Sequence, residues 1–289
     1  MKLRTNIMEA AIAVSYLFTT SLSSAFAESV QKIYYSAAAT PADRRSDYYI
    51  TLLELALSKT GGRYELRANP ISMPLKRAMK NVGANGGIDV FWGPTTREKE
   101  ENYLPVQIPI DKGILGWRLF LIRADDHQLF ADVHTLAQLQ LQSAGLQRDW
   151  SDSAIFRANG LKVVGAEAYE TMFAMLAEQR FQYFPRGIVE IWGESESHAN
   201  LKLEIEQGLA LHYPVYTYFF VRKNNAALAR SIESGLRTAI SDGSFDRLFE
   251  KFNSESIKRA HLGTRTVFEL SNPLLPDNLP PLRDQDHIH

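Results

Sequence analysis

The sequence predicts an α/β protein in which short β-rich runs alternate with longer helical ones in two successive series. Three observations carry that reading. The alternation itself builds largely parallel sheets covered by helices. Two similar, strongly apolar segments, Gly116 to Arg123 and Tyr216 to Val221, punctuate the chain. No Gly/Ser linker, internal repeat or low-complexity block separates the two series, so ordered strands must join them.

The first residues read as a leader. Lys2 and Arg4 precede an apolar run from Ala10 to Phe18, and Ala25-Phe26-Ala27 forms a small-residue cleavage site ahead of Glu28. This is the pattern of a secretory signal, with cleavage expected after Ala27 and the mature chain in the periplasm. The apolar run is far shorter than the roughly 20 residues a spanning helix needs, so no membrane insertion of the mature chain is expected.

A strand is expected at Val30 to Ser36, then a helix from Ser46 to Ser58 that Ser46 or Asp47 caps and Gly61-Gly62 ends. A strand at Tyr64 to Ala68, a helix around Pro74 to Val82 and a strand at Ile88 to Trp92 complete the first series. After the apolar segment at 116–123 come helices near Val133 to Gln140 and after Trp150. A strand at Leu161 to Val164, a helix at Tyr169 to Gln179 and a strand at Phe181 to Phe184 follow. Beyond the second apolar segment, helices at Ala226 to Ser241 and Ser244 to Phe252 are separated by Asp242-Gly243, a stop-and-restart signal. The Pro-rich tail from Asn272 reads as an extended strap or a loose end.

Composition excludes several classes. The formal net charge is -1, and removing the leader with Lys2, Arg4 and Glu9 leaves it near neutral. A nucleic-acid binder needs clustered cations, so no such partner is expected. The chain has no cysteine, which excludes disulfides, thiolate metal sites and a cysteine nucleophile. With 45% hydrophobic residues there is ample material for a packed core.

Three strings give the chain a family resemblance. Residues 88–98, Ile-Asp-Val-Phe-Trp-Gly-Pro-Thr-Thr-Arg-Glu, resemble the strand and Thr/Arg loop of the family 3 periplasmic solute-binding proteins, best known from amino-acid transport. Residues 177–183 resemble that family's second-lobe helix-to-strand junction, with Gln182 in place of its usual aspartate. Residues 240–252 are similar to its closing helix pair and are the most specific of the three. The resemblance spans Val30 to Phe252 and implies a two-lobed, type II periplasmic-binding-protein-like fold with mixed or parallel sheets and a two-strand hinge. Lobe 1 would hold residues 28–122 and 217–255, lobe 2 residues 123–216, and residues 256–289 would form a tail. A small-molecule ligand would bind between the lobes, and closure about the hinge would bury it.

Arg97 is the first choice for a ligand contact, because a guanidinium matches a carboxylate with two parallel donors. Thr95 and Thr96 add hydroxyl donors. Lys99, three residues after Thr96, is the rival; Arg97 is favoured because Tyr103 then falls where the family commonly has an aromatic, so Arg97→Ala is expected to weaken binding more than Lys99→Ala. The other reading of residues 97–101 is a solvated run of intrahelical pairs. Arg186, in Tyr183-Phe184-Pro185-Arg186-Gly187, would face the cleft from the other lobe or else pair with Glu190. The family's second-lobe acid aligns with Gly187 here, which points to an anionic ligand unless Glu190 turns inward. Trp92, Tyr35, Trp150 and Tyr183 offer rings for a planar ligand portion, or serve as core. Ser151 either opens an anion site or caps its helix.

No Gly-rich phosphate loop, zinc helix or G-x-S-x-G elbow occurs, so no cofactor and no catalysis are expected. Glu190, Glu194 and Glu196 have the spacing of an acid/base pair but equally of a wet helical face. His287 and His289 read as a frayed end. The partner would be a membrane permease of an ABC-type transporter; a sensing adaptor, or an enzyme on the same fold, is the alternative.

Overall fold

Alternating strands and helices form because apolar positions recur at period two or at helical spacing along most of the chain. The computed structural model describes residues 30–37, 44–69, 79–80, 82, 87–280 and 283. The leader, most of the expected helix at 74–82, and His287 and His289 lie outside those residues. The elements in chain order are β1 (Gln31–Tyr35), α1 (Asp47–Ser58), β2 (Tyr64–Ala68), β3 (Val90–Pro94), α2 (Arg97–Asn102), β4 (Tyr103–Val106) and β5 (Trp117–Arg123). Next come α3 (His127–Ala131), α4 (Leu136–Leu139), β6 (Ser143–Gln147), α5 (Ser151–Ala158), β7 (Lys162–Ala166), α6 (Thr171–Ala177), β8 (Phe184–Gly187) and α7 (Ile191–Ser197). The chain continues through β9 (Leu203–Ile205), β10 (Leu209–His212), β11 (Thr217–Arg222), α8 (Ala226–Ser241), α9 (Ser244–Ala260) and β12 (Thr266–Glu269).

The first lobe is built on β1 and β2, which run parallel, and on the antiparallel set β3-β11-β4. α1 buries Tyr48, Leu52, Leu53, Ala56 and Leu57, one stripe at helical spacing. α8 packs against it so closely that a Cβ on Gly235 would lie 1.9 Å from the Ala56 carbonyl oxygen, so only glycine fits there. Gly243, with φ 74, lets α8 stop and α9 restart.

In the second lobe the strand order is β12-β10-β5-β8, with β9 also pairing β5. The parallel pair β6-β7 joins it through an Ala144–Tyr183 bridge. The sheets are therefore mixed, not largely parallel as the alternation predicts, because β5 and β11 run antiparallel to their neighbours.

Three features differ from the sequence reading. β5 pairs with β8, β9 and β10, and Arg118 to Ile122 are all buried. This strand is a central member of the sheet with β8, β9 and β10, and β11 is the middle strand of β3-β11-β4, so the chain crosses between these sheets before Trp117 and crosses back before Thr217. The strand expected at 181–184 sits at 184–187, with Pro185 opposite Phe120 on an edge strand, where a missing N–H is tolerated. α9 runs on to Ala260 instead of ending at Phe252.

The tail is an ordered strap as far as Pro280. β12 lies parallel to β10, and Asn159 Oδ1 accepts from the Ser271 N–H and hydroxyl at 3.0 and 3.2 Å. Asn272 then donates to the Pro214 carbonyl at 2.8 Å, beside the return crossing. Farther on, Leu279 packs against the first-lobe cluster of Phe91, Tyr218 and Phe220. Arg283 reaches Asp246 of α9 at 3.1 Å, a carboxylate that Lys112, next to the first crossing, also holds at 2.8 Å. The strap is thus a third link between the lobes.

Candidate ligand site between the lobes

The first lobe brings three rings together. Tyr49 of α1 stacks on Trp92 of β3, with centroids 5.8 Å apart and planes at 20°, and Tyr35 at the end of β1 lies 6.1 Å from Trp92. The Tyr49 hydroxyl donates to Asp111 Oδ2 at 3.4 Å, and the Gly113 N–H donates to Asp111 Oδ1 at 3.1 Å. Burial raises the Asp111 carboxyl to about 6, and these donors offset only part of that.

The loop after β3 divides its polar residues in a way the spacing did not predict. Thr95 is buried and donates to Glu100 at 2.7 Å, while Thr96 caps α2 by accepting from the Lys99 N–H at 3.2 Å. The Arg97 side chain is more than half exposed and donates to the Pro273 and Leu275 carbonyls of the strap. Lys99, one helical turn from Thr96, turns inward instead. Its ammonium donates to the Pro94 carbonyl at 2.5 Å, burial lowers it to about 8, and the charges of Glu98 and Asp152 resist that lowering. Asp152 belongs to α5 of the second lobe, so its charge reaches across from the other half of the chain.

The second-lobe wall is a network of ion pairs. Arg118 Nη2 lies 2.7 Å from Asp152, its Nε donates to the Tyr213 hydroxyl at 2.8 Å, and its Nη1 is 3.8 Å from Glu190. Arg186 grips Glu194 at 2.6 and 2.7 Å and Glu190 at 3.0 Å. Its guanidinium sits 4.7 Å from the Trp150 ring centroid, and Trp150 stacks on Phe184 at 14°. Burial works against all these charges, yet pairing outweighs it: both arginines are held above their usual value and Glu194 below its own. Burial and the Glu194 charge push the Tyr169 hydroxyl up, and it donates to Glu194 at 2.6 Å.

The candidates thus separate. Trp92 and Tyr35 sit in the first-lobe ring cluster, and Trp150 and Arg186 in the second-lobe network, where Arg186 is fully engaged by Glu190 and Glu194. Glu194 is buried and not part of a wet face. Ser151 is the first residue of α5 and Trp150 takes the cap position, so Ser151 is not the cap. Tyr183 is fully buried against Phe120 and Phe130, in the second-lobe core. Arg45, Tyr49, Asp111, Arg118, Asp152 and Tyr169 were missed. Arg118 had a signal, since a lone charge in an apolar strand must find a partner.

One further first-lobe residue crosses to the second. The Arg45 guanidinium carbon, just before α1, lies 4.8 Å from the Tyr169 ring centroid. A separate open groove of 660 Å³ runs along α8, lined by Arg230, Glu233, Arg237 and Asp242; Arg237 and Glu233 pair there at 2.7 Å. None of the facing residues lines it. Among the described residues no three metal-ligating side chains cluster, and no helix is long and apolar enough to cross a membrane.

No protein-family model and no curated protein sequence matches the chain. Solved structures do. A probable amino-acid ABC transporter extracellular-binding protein from Bacillus subtilis is similar at 14% identity and a TM-score of 0.59, over 78% of this chain and 99% of that one. An arginine-specific periplasmic binding protein of Salmonella typhimurium is similar at 15% identity and 0.57, over 77% and 99%. A His/Glu/Gln/Arg/opine family-binding protein from Silicibacter pomeroyi, solved with lysine, is similar at 12% identity and 0.57, over 78% and 98%. At these identities the likeness establishes the fold. The chain has the two-lobed α/β fold of the type II periplasmic binding proteins, as the resemblance of its strings implies.

Proposed function

We propose that the chain is an exported solute-binding protein, cleaved after Ala27, which captures a small carboxylate-bearing ligand between its lobes for an ABC-type transporter. The observation that carries this reading is Lys99. It is a half-buried cation whose ammonium holds the carbonyl of Pro94, two residues after Trp92 on β3, and whose charge interacts with that of Asp152 in the second lobe. An ammonium lowered by burial gains from a carboxylate brought against it, since the ligand restores the counter-charge that desolvation removed.

The second wall presents no acid without a cation to a basic ligand. Asp152, Glu190 and Glu194 each touch Arg118 or Arg186, three carboxylates against two guanidiniums, so an anionic ligand would be met from the first lobe, by Lys99. Trp92, Tyr35 and Trp150 supply flanking rings, with Tyr49 joining them. Lys99 replaces Arg97 as the carboxylate contact, and Thr95 and Thr96 shape the loop that presents it. Binding without turnover fits a second-lobe wall whose described ionisable groups pair with each other.

Native mass spectrometry of the full chain purified from a periplasmic extract tests the reading. A one-to-one adduct that releases a carboxylic acid or amino acid supports it. A persistently unadducted protein that also gives no heat with any amino acid or dicarboxylate overturns it. N-terminal sequencing of the same sample should begin at Glu28.

A further inference from the structure

Two guanidiniums approach the Tyr169 ring. Arg186, from its own lobe, is 5.4 Å from the ring centroid, and Arg45, from the opposite lobe, is 4.8 Å away. The ring's hydroxyl is tied to Glu194, so ring and carboxylate form one electron-rich surface on the second-lobe wall. Arg186 satisfies the inner side of that surface through both Glu194 oxygens. Its outer side faces the first lobe, and there Arg45 stands. The Arg45 charge is felt at both Tyr169 and Glu194.

A cation over an aromatic face beside a carboxylate is the arrangement that would hold a distal ammonium or guanidinium of a ligand. Here the chain supplies that cation itself. We infer that Arg45 is a specificity-determining residue, which fills the outer face of the Tyr169–Glu194 surface when the lobes meet and thereby turns away ligands carrying a distal positive charge. This rests on the reading of the facing walls as the binding site, and it narrows the ligand to acids without a basic side chain. A ligand cation would have to displace the exposed Arg45 or lie beside it over the half-buried Tyr169 ring, where like charges repel. The discrimination is thus a built-in repulsion and not a missing contact.

The test uses methylguanidinium as a minimal cationic side chain, titrated into the full chain by calorimetry at concentrations far below denaturing ones. Arg45→Ala is expected to bind it at least about tenfold more tightly than the wild type, Arg45→Lys to behave like the wild type, and Arg45→Ala with Tyr169→Ala to lose the gain. Equal affinity in the wild type and Arg45→Ala, including no binding to either, overturns the inference. Titration of the same proteins with L-glutamate and glutarate reports separately on the carboxylate site. Loss of those heats in the wild type counts against the binding-site reading, while a gain of methylguanidinium binding in Arg45→Ala would still stand for Arg45.

Discussion

The backbone N–H of Arg97 donates to the Leu274 carbonyl at 3.0 Å, and the Arg97 guanidinium holds the carbonyls on either side of Leu274. Arg97 is therefore a first-lobe anchor of the C-terminal strap. Replacing it by alanine keeps the backbone bond and removes two exposed side-chain bonds, worth about 1–2 kcal/mol together. Amide exchange in residues 273–279 should then quicken by roughly tenfold, while affinity for a carboxylate ligand stays within about threefold of the wild type. Unchanged exchange in the strap would contradict the anchor.

The buried Asp111 carboxyl makes stability depend on pH. Its folded value of about 6 lies above the ordinary aspartate value of 3.8, so the folded state holds the proton more tightly. The stability it contributes is complete below the unfolded value and is lost as pH rises through the folded one, about 3 kcal/mol in all. Asp111→Asn keeps an acceptor for the Gly113 N–H without the titration. Urea unfolding should show the variant gaining on the wild type by up to about 3 kcal/mol near pH 7 and hardly at all near pH 4. A gain of the same size at both pH values would refute the assignment.

Arg186 carries the second-lobe wall. Arg186→Met leaves Glu194 buried without its hydrogen-bonded cation and should cost about 3–5 kcal/mol, while adding Glu194→Met should recover a good part of the loss. Urea midpoints of the two variants decide the matter, and a double variant less stable than the single one would rule out the pairing described.

Much of this fold was legible in the sequence, and the reasons are physical. α8 was read to the residue because Asn225 caps it and Asp242-Gly243 ends it. β4, β6, β9, β10 and β12 were missed, being three to five residues long, too short for a period to declare itself. The strap was left open between ordered and loose, because what orders it is Asn159, Pro214 and Arg97, all distant in sequence. The site was legible only in part. Trp92 and Trp150 join the ring clusters of the two lobes, but spacing could not say that Arg97 points out to the strap while Lys99 turns to the Pro94 carbonyl. Partners decide such a choice, and Arg45 with Tyr169, 124 positions apart, shows why it needed three dimensions.

The pH dependence of ligand binding at Lys99 tests the central claim most directly. Calorimetry with L-glutamate, L-aspartate, succinate and glutarate should give one-site binding of at least one of them to the wild type near pH 7. Affinity should fall by up to about tenfold toward pH 9, as the Lys99 ammonium, lowered by burial to about 8, gives up its proton. Lys99→Gln should bind at least about tenfold more weakly near pH 7 and show a flat profile, while Arg97→Ala should track the wild type. Full affinity in Lys99→Gln, or no binding of any of the four acids to the wild type, would contradict the account.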